Sequence, residues 1–498
     1  MKIPESLSSR YGPLSSYDAE AAGSSTNAKR NEHRYTAAND FFRRFAVPLT
    51  ALVVLTAAAF GVSGSYLRRE FDSAGGFHGV GHTSPSSSSS SNSSYTGGNS
   101  SAEESILVET ANFEIVDETI AGAKNIDDAL RMKVLRNPNT EESFGVIWES
   151  GGTTHRLRLL SPRTGEVRDV LRVFWDNVAD DASFRESKYF AGSLLVPYAN
   201  RVRDGTYNFA GQHHSLDKNE CVEGLRCGAL HGYLHNRPMK ILGQDVSPTH
   251  ASLTLGYEFE GTDTPGWPFR ASAEVTYTLS AGKGAGGSSS AVTPNPGVAT
   301  ITVRITNKEK VSPIPLTVSW HPYFIVSDVS RTEVHLDTCG MGLEERAWQR
   351  VIMGEGAPRG GDLIPTGQYE AWPYPSFVIG GVHEHPTYMD DEFVATLSVD
   401  DLSKGAGAGP SAEPCSNTQY LEHSIVDKGG DGDISILFAD RSKFRVAQLF
   451  TGAREGWGWN ALALEPMSGL ADAYNNEVGL TVLGPKETFE GTFGVTLR

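Results

Sequence analysis

Short stretches in which apolar and polar residues alternate recur from about Ile106 to the C-terminus, and they restrict the fold more than any other feature. Successive side chains of a β-strand point to opposite faces, so each stretch predicts a strand with one buried face. The clearest stretches are residues 275–279, 301–306, 434–438 and 493–497. Helical periodicity is scarce, and Gly, Pro and Asn turns separate the stretches. We therefore predict an all-β fold, a large antiparallel β-sandwich over residues 106–498.

Two Gly- or Ser-rich runs, residues 282–290 and 405–414, interrupt this pattern and predict exposed loops inserted between strands. The first run resembles a phosphate-binding loop in its glycines alone. Gly284 stands where a Ser or Thr must follow the lysine of such a loop, and no helical pattern follows. We therefore predict no nucleotide site there.

Residues 45–67 are largely apolar and carry no charge, over a length that spans a bilayer as a helix. The polar residues 1–44 before them are too long for the start of an ordinary signal peptide, so we predict an uncleaved transmembrane anchor. Residues 68–105 are rich in Ser and Gly and predict a flexible stalk. Asn92 and Asn99 in this stalk match the glycosylation acceptor pattern.

Basic residues are more numerous before the apolar segment than after it. On the N-terminal side are Lys29, Arg30, Arg34, Arg43 and Arg44, and on the C-terminal side are Arg68 and Arg69. Such an excess marks the cytosolic side of a membrane helix. We therefore predict a single-pass type II membrane protein, with residues 1–44 as a cytosolic tail and the large domain in a lumen or outside the cell.

The charge balance argues against nucleic acid as a partner. The formal net charge is −17, and no dense run of Lys and Arg occurs beyond the flanks of the apolar segment. Binding a polyanion requires a basic patch or stripe. A neutral small molecule fits this balance better.

The chain has four cysteines, too few for a disulfide scaffold in a domain of this size. Cys221 and Cys227 are close in sequence and could pair across a loop in an oxidising lumen. Cys339 and Cys415 are predicted to be ordinary buried or loop thiols.

No stretch has the spacing of zinc ligands. His231 and His235 are four residues apart, but Gly232 stands where a zinc protease has its glutamate. We therefore predict no metal site.

An apolar strand pattern over residues 315–324 carries a histidine. Strand alternation places Val318 and Trp320 on one face and His321 on the other. Pro322 has no N–H to donate, which predicts that the strand ends there with His321 at a strand edge or rim. The polar face of this strand therefore includes a group that titrates near neutral pH.

A second stretch, residues 460–467, repeats this pattern around a carboxylate. Leu462 and Leu464 take one face, and Glu465 takes the other just before a proline. If His321 and Glu465 face one cavity, they form an acid/base pair that can move protons on and off a small neutral substrate. The alternative is that Glu465 is a solvated strand end.

Six stretches together resemble the aldose 1-epimerase (galactose mutarotase) family, and they occur in the family's order. They are residues 195–202 (LVPYANRV), 230–232 (LHG), 266–269 (GWPF), 321–324 (HPYF), 363–367 (LIPTG) and 464–467 (LEPM). The resemblance implies a supersandwich fold, no cofactor, and interconversion of the α and β anomers of a free hexose such as galactose or glucose. The chain departs from the family in its anchor, stalk and inserted loops.

The resemblance also implies roles for individual residues. His321 matches the family's general acid, and Glu465 matches its general base. The remaining matches are expected to bind the sugar, and they are Asn200, Arg201, His231 and Asp390. Asp390 matches less specifically, because Asp391 is adjacent.

Other functions on the same fold remain open at this stage. A hexose-6-phosphate mutarotase would need cations at the pocket mouth, for which Arg201, Arg203 and Arg237 are candidates. A non-catalytic carbohydrate-binding module would keep the sandwich without the acid/base pair. A retaining glycosidase would use Glu465 and Asp390 as two carboxylates.

The first prediction concerns membrane orientation. Protease added to sealed microsomes should trim the N-terminal tail and leave the region after Ser101 intact, because the basic residues favour a cytosolic tail. Immunoblotting with and without detergent checks this result. Digestion of the large domain in sealed vesicles would contradict the orientation.

Overall fold

The computed structural model describes residues 112–120, 130–172, 189–222, 226–282, 295–338, 347–354, 362–381, 389–396, 419–430, 432–452 and 460–498. These segments belong to one compact unit, Glu103–Arg498. Several predicted features lie outside the described residues: the anchor at 45–67, the stalk at 68–105 with Asn92 and Asn99, the thiols Cys339 and Cys415, the run 405–414, and the run 282–290 beyond its first glycine.

The regular secondary structure of the described residues is almost entirely β. In chain order the strands are β1 (Glu114–Thr119), β2 (Arg131–Arg136), β3 (Ser143–Ile147), β4 (Thr153–Leu160), β5 (Val167–Asp169), β6 (Leu194–Leu195), β7 (Arg201–Val202), β8 (Thr206–Phe209), β9 (Gln212–Ser215), β10 (Glu220–Val222), β11 (Arg226–Leu230), β12 (Lys240–Val246), β13 (His250–Phe259), β14 (Ala271–Ser280), β15 (Val298–Asn307), β16 (Ile314–Leu316), β17 (Ser319–Trp320), β18 (Tyr323–Ile325), β19 (Thr332–His335), β20 (Trp348–Met353), β21 (Pro365–Trp372), β22 (Ser376–Val378), β23 (Asp390–Ala395), β24 (Tyr420–Asp427), β25 (Ile434–Asp440), β26 (Val446–Phe450), β27 (Ala461–Met467), β28 (Thr481–Leu483) and β29 (Thr488–Leu497). One α-helical turn, α1 (Ala473–Asn476), and short 3₁₀ turns at Arg203–Gly205, Leu234–Asn236, Val329–Arg331 and Ile379–Gly381 complete the set.

Two large antiparallel sheets form the body of the fold. A nine-stranded sheet has the order β12-β13-β14-β15-β29-β25-β24-β19-β22. An eight-stranded sheet has the order β21-β20-β23-β26-β27-β17-β6, with β18 also paired to β27. Smaller sheets join β1 to β5, β10-β11-β7, β8-β9 and β16-β28. The predicted all-β, largely antiparallel fold is therefore confirmed.

The alternating stretches form strands as predicted. Residues of β14 alternate strictly between buried and partly exposed, which is the pattern of a strand with one face on a core. The predicted strands at 275–279, 301–306, 434–438 and 493–497 lie within β14, β15, β25 and β29.

The main core lies between the two large sheets. Val303 and Phe493 of the nine-stranded sheet belong to the same buried cluster as Trp320 and Leu464 of the eight-stranded sheet. The rings of Trp320 and Phe493 stack with centroids 5.5 Å apart and planes 7° apart. Because Trp320 precedes His321, this contact anchors the segment that carries the histidine.

The chain around His321 differs from the prediction of a single strand that ends at Pro322. Three short strands, β16, β17 and β18, replace it, and β18 resumes immediately after Pro322 to pair with β27. The proline removes one donor without ending the alignment with β27. His321 therefore lies between two paired segments and not at the rim of the sheet, and it is buried.

The strand that carries Glu465 also continues past its proline. β27 runs through Pro466 to Met467, and Glu465 is 2% exposed. Glu465 is thus not a solvated strand end. Among the residues that the structure describes, no helix has the length and apolar character needed to cross a membrane.

A substitution at the interface of the two sheets tests this packing. Phe493→Ala should lower the free energy of unfolding by about 3–5 kcal/mol, because it leaves a cavity against Trp320. Denaturant titration of the purified protein measures the change. Val482→Ala is the control, since Val482 is half exposed and its truncation should cost less than about 0.5 kcal/mol. An equal loss of unfolding free energy in the two variants would contradict the packing of Phe493 against Trp320.

Candidate active site

Three polar side chains lie next to one another across the eight-stranded sheet. In the antiparallel register Glu392 of β23 is opposite Gln448 of β26, and Gln448 is opposite Glu465 of β27. Residues directly opposite in antiparallel strands project to the same face. On β27 this face carries the small residues Ala461 and Ala463, which pack outside the main core. Because both side chains are small, they leave space beside Glu465.

His321 extends this set onto the neighbouring segment. The register on each side places His321 opposite Glu465, and the flanking pairs are Ser319 with Met467 and Tyr323 with Ala463. The backbone N–H of His321 donates to the Ser193 carbonyl at 3.0 Å, and its carbonyl accepts from the Gly192 N–H at 2.8 Å. We call Glu392, Gln448, Glu465 and His321 the polar row.

The histidine and the glutamate are in direct contact. His321 Nε2 lies 3.3 Å from Glu465 Oε1, and the side chains are 7% and 2% exposed. The Tyr323 ring stacks on the His321 ring with centroids 4.9 Å apart and planes 16° apart. Two ionisable groups from segments far apart in sequence are thus brought within proton-transfer distance.

Burial controls the protonation of this pair. Burial raises the pKa of Glu465 well above its usual value, and the nearby Asp390 and Glu392 carboxyl groups raise it further. Burial also lowers the pKa of His321 to about 3, with a further contribution from the Arg201 charge. An ion pair is costly where water cannot solvate it. Burial therefore favours the neutral pair, with the acidic proton on Glu465, over the ion pair.

Several buried polar atoms of the polar row lack a partner. Within the described part of the chain, Glu465 Oε2, Glu392 Oε2 and His321 Nδ1 make no hydrogen bond. A buried polar atom without a partner is unfavourable, so such atoms indicate a site that a polar ligand completes. Hydroxyl groups of a ligand are suitable partners for Glu465 Oε2.

Arg201 is held by a carboxylate beside the polar row. Its Nε and Nη2 donate to the two oxygens of Glu220, each at 2.8 Å. Its Nη1 donates to Asn200 Oδ1 at 3.2 Å. Burial alone would lower the pKa of Arg201, but the Glu220 carboxylate outweighs burial and keeps the guanidinium charged. The charge of Arg201 is thus largely balanced before any ligand binds.

Asn200 links Arg201 to the polar row. Its Nδ2 donates to Glu392 Oε1 at 3.1 Å and to Gln448 Oε1 at 3.4 Å. These two bonds use both amide hydrogens. Asn200 has a φ of +54°, in the left-handed region that asparagine tolerates better than most residues. The geometry gives Asn200 a connecting role within the site.

His231 reaches the site from a tight turn after β11. Its ring lies 5.4 Å from the His321 ring, centroid to centroid. The backbone N–H of Asn200 donates to His231 Nδ1 at 3.2 Å, so the neutral ring carries its proton on Nε2. Burial, together with His321 and Arg201, lowers the pKa of His231 well below its usual value. His231 therefore offers a neutral N–H donor.

The structure distinguishes the two adjacent aspartates of β23. Asp390 is buried and accepts a hydrogen bond of 2.7 Å from Gln448 Nε2. Asp391 points to the opposite side and pairs with Arg350 Nε at 2.7 Å. Asp390 therefore belongs to the site, and Asp391 belongs to a separate ion pair.

Sequence reasoning missed Glu392, Gln448 and Glu220 as site residues. Glu392 is two residues after Asp390 on one strand, so strand alternation alone places both on one face. Gln448 is a polar residue inside the apolar run 446–450, a pattern that marks a polar position in a core strand. Glu220 has no such local pattern, because its role depends on contact with Arg201.

Solved structures with a similar fold have low sequence identity to this chain. A galactose mutarotase-like protein of Clostridium acetobutylicum has a TM-score of 0.54 and 13% identity, over 78% of this chain and 99% of that chain. A galactose 1-epimerase of Lactobacillus acidophilus NCFM has a TM-score of 0.51 and 12% identity, over 77% of this chain and 99% of that chain. A GalM/aldose epimerase homologue from C. elegans has a TM-score of 0.50 and 15% identity, over 78% of this chain and 99% of that chain. The fold is therefore galactose mutarotase-like.

The sequence itself defines the family. The family model for aldose 1-epimerase matches residues 146–496. The chain belongs to the aldose 1-epimerase family, a family of isomerases, as the six motifs predict. A curated relative, the uncharacterized protein YihR of Escherichia coli K12, is 31% identical over 93 residues. That match spans 19% of this chain and 27% of the relative's length.

The protonation of Glu392 can be tested through stability. Burial raises the pKa of Glu392 from 4.5 to about 8. Between these values the unfolded chain has released the proton and the folded chain retains it. The free energy of unfolding therefore falls with rising pH, by up to about 1.4 kcal/mol per pH unit. Glu392→Gln cannot ionise and should lose this part of the pH dependence.

The measurement is denaturant unfolding of wild type and Glu392→Gln at intervals from pH 5 to pH 8. The stability of the variant relative to wild type should increase steadily over this range. Glu490→Gln makes the same change at a half-exposed position and serves as the control. Parallel curves for wild type and Glu392→Gln would show that Glu392 is ionised in the folded protein.

Proposed function

We propose that this protein interconverts the α and β anomers of a neutral free hexose, such as galactose or glucose, by acid/base ring opening. The observation that carries the proposal is the buried His321–Glu465 contact of 3.3 Å. Membership of the aldose 1-epimerase family supports the same reaction. An acid and a base held together at one site are the groups that mutarotation requires.

The reaction moves two protons and breaks one bond reversibly. Glu465 takes the proton of the C1 hydroxyl, and His321 gives a proton to the ring oxygen as the bond from C1 to that oxygen breaks. The open-chain aldehyde rotates about its C1–C2 bond. Ring closure on the other face returns both protons, so the reaction is balanced with no further reactant. Each transfer is expected to contribute a factor of about 10² to 10⁴ in rate.

The low pKa of His321 and the high pKa of Glu465 fit this sequence of steps. Before ring opening, the proton of the pair must lie on His321, with Glu465 as the carboxylate. Because burial disfavours that ionised state, His321 is then a strong acid and Glu465 a strong base. After ring opening both groups are neutral, which is the protonation favoured in the structure.

The surrounding side chains provide binding groups for sugar hydroxyls. His231 offers its Nε2–H, and Asp390 offers carboxylate oxygens. Arg201 offers the N–H groups that Glu220 and Asn200 do not use. The bonds made by Arg201 and Asp390 are charge-assisted, and together the three groups fix the orientation of a neutral sugar. Asn200 is assigned to holding Arg201, because both of its amide hydrogens are already donated.

Each of the three candidate phosphate-binding arginines already has a protein oxygen nearby, which favours a free sugar over a hexose 6-phosphate. Arg201 pairs with Glu220, Arg203 Nε lies 3.7 Å from Asp472 Oδ2, and Arg237 Nη2 donates to the Asp263 carbonyl. The Asp390 carboxylate also repels a dianion. A non-catalytic binding module would have no use for a buried acid/base pair.

We also propose that the protein is a single-pass type II membrane protein with its catalytic domain lumenal or extracellular. The apolar segment 45–67 and the excess of basic residues before it support this location. The disulfide between Cys221 and Cys227 is in keeping with an oxidising compartment.

Substitutions in the polar row separate catalysis from binding. Glu465→Gln and His321→Asn should lower kcat by about 10² or more with little change in sugar affinity, because they keep shape but remove proton transfer. Arg201→Ala should weaken sugar binding instead. Polarimetry of fresh α-glucose and α-galactose, with glucose 6-phosphate as a competing substrate, measures these effects in the purified full-length protein.

Thermal melting of each variant checks that the protein is folded, so that a loss of activity is not caused by unfolding. Full activity in Glu465→Gln would exclude Glu465 as the base and make Asp390 the first alternative. A preference for glucose 6-phosphate over glucose would reject the neutral-sugar assignment. Release of monosaccharide from a glycoside would identify a glycosidase instead.

A further inference from the structure

The hairpin of β10 and β11 carries two groups that reach the candidate active site. Glu220 is the first residue of β10, and His231 follows the last residue of β11. β11 also pairs with β7, where Leu230 is opposite Arg201. The hairpin therefore lies against the segment that supplies Arg201, and its own two ends contribute Glu220 and His231.

Glu220 is constrained by both of its neighbours. Asn219 makes two hydrogen bonds to the backbone of Leu230. Its Nδ2 donates to the Leu230 carbonyl at 2.9 Å, and its Oδ1 accepts from the Leu230 N–H at 2.7 Å. Cys221 is opposite Cys227 in the register and forms a disulfide with it. These links join β10 to β11 on each side of Glu220 in the sequence.

The ion pair that Glu220 makes differs from an ordinary surface pair. Arg201 and Glu220 are 15% and 18% exposed, and both carboxylate oxygens accept a hydrogen bond from the guanidinium. Bidentate pairing fixes the plane of the guanidinium as well as its distance. Movement of Glu220 therefore changes the direction in which the remaining N–H groups of Arg201 point.

We propose that Glu220 is the positioning residue for Arg201, and that the Cys221–Cys227 disulfide holds Glu220 in place, so that the oxidised hairpin sets the affinity of the site for sugar. This rests on the proposed function, because Arg201 is taken to bind the sugar. The polar row does not depend on the hairpin for its register. Loss of the disulfide or of Glu220 thus raises KM and spares kcat.

The chemical step is a thiol–disulfide exchange. A dithiol reductant such as dithiothreitol supplies two electrons and two protons, the bond between the two sulfur atoms breaks, and Cys221 and Cys227 become thiols. Dithiothreitol is oxidised to its cyclic disulfide. Cys221 is exposed and Cys227 is partly exposed, so the bond is accessible to the reductant.

The first experiment compares two glutamate variants of the full-length protein in the polarimetric assay. Glu220→Gln should raise KM for galactose or glucose about tenfold, with kcat changed less than about twofold. Glu490→Gln breaks a half-exposed pair with Arg304 on the nine-stranded sheet and should change neither constant. An unchanged KM in Glu220→Gln would overturn the proposal, as would an equal fall in kcat.

The second experiment tests the disulfide. Reduced wild type and the double variant Cys221→Ala/Cys227→Ala should share the raised KM of Glu220→Gln, and the double variant should not respond to dithiothreitol. Adding Glu220→Gln to the double variant should raise KM little further, because both changes act on one contact. Additive effects, or a response to dithiothreitol in the double variant, would show that the disulfide does not act through Glu220.

A readout without sugar separates this proposal from the proposed function. Hydrogen exchange of the backbone amides of Leu230 and His231 should become faster on reduction, because both amides are held where β11 meets Asn219 and Asn200. If the wild type shows no mutarotation yet exchange accelerates, the proposed function fails, while the disulfide is still shown to hold the hairpin in place. Unchanged exchange together with an unchanged KM would overturn the role of the hairpin.

Discussion

The exclusion of water from the His321–Glu465 contact is the constraint on which the site depends. In water the glutamate would be a carboxylate at neutral pH, and the histidine would titrate close to that pH. Burial disfavours the charged form of each group, so it favours the state in which both groups are neutral. The same burial makes each group reactive when the proton moves. The surrounding protein therefore has to hold two poorly solvated side chains at one fixed distance.

The two-layered sandwich meets this requirement through its strand register. On the core side of β27, Leu462 and Leu464 pack into the main cluster. On the other side, Ala461 and Ala463 leave room beside Glu465. Behind His321, the stacked rings of Trp320 and Phe493 tie its segment to the opposite sheet. The geometry of the pair is thus a property of the β-sheet and not of a loop.

Much of this arrangement can be predicted from the sequence. The features that could not be predicted depend on contacts between residues that are distant in the sequence. Strand alternation predicts the faces of Trp320, His321 and Glu465, and the six motifs predict the family. Pro322 was expected to end its strand, yet the neighbouring β27 has enough partners to align the chain on both sides of it. Glu220 could not be predicted, because its function lies in a contact between residues that share no local pattern.

The register that joins His321 to Glu465 also has a consequence for the folding reaction. The two residues are separated by most of the second half of the chain, and their strands meet only when the intervening segments have been enclosed. Contacts of such long sequence separation carry a large loop-closure cost and form late. Partly folded chains, including nascent ones still lacking β27, therefore have no acid/base pair. The acid/base pair can therefore form only after β27 has been synthesised.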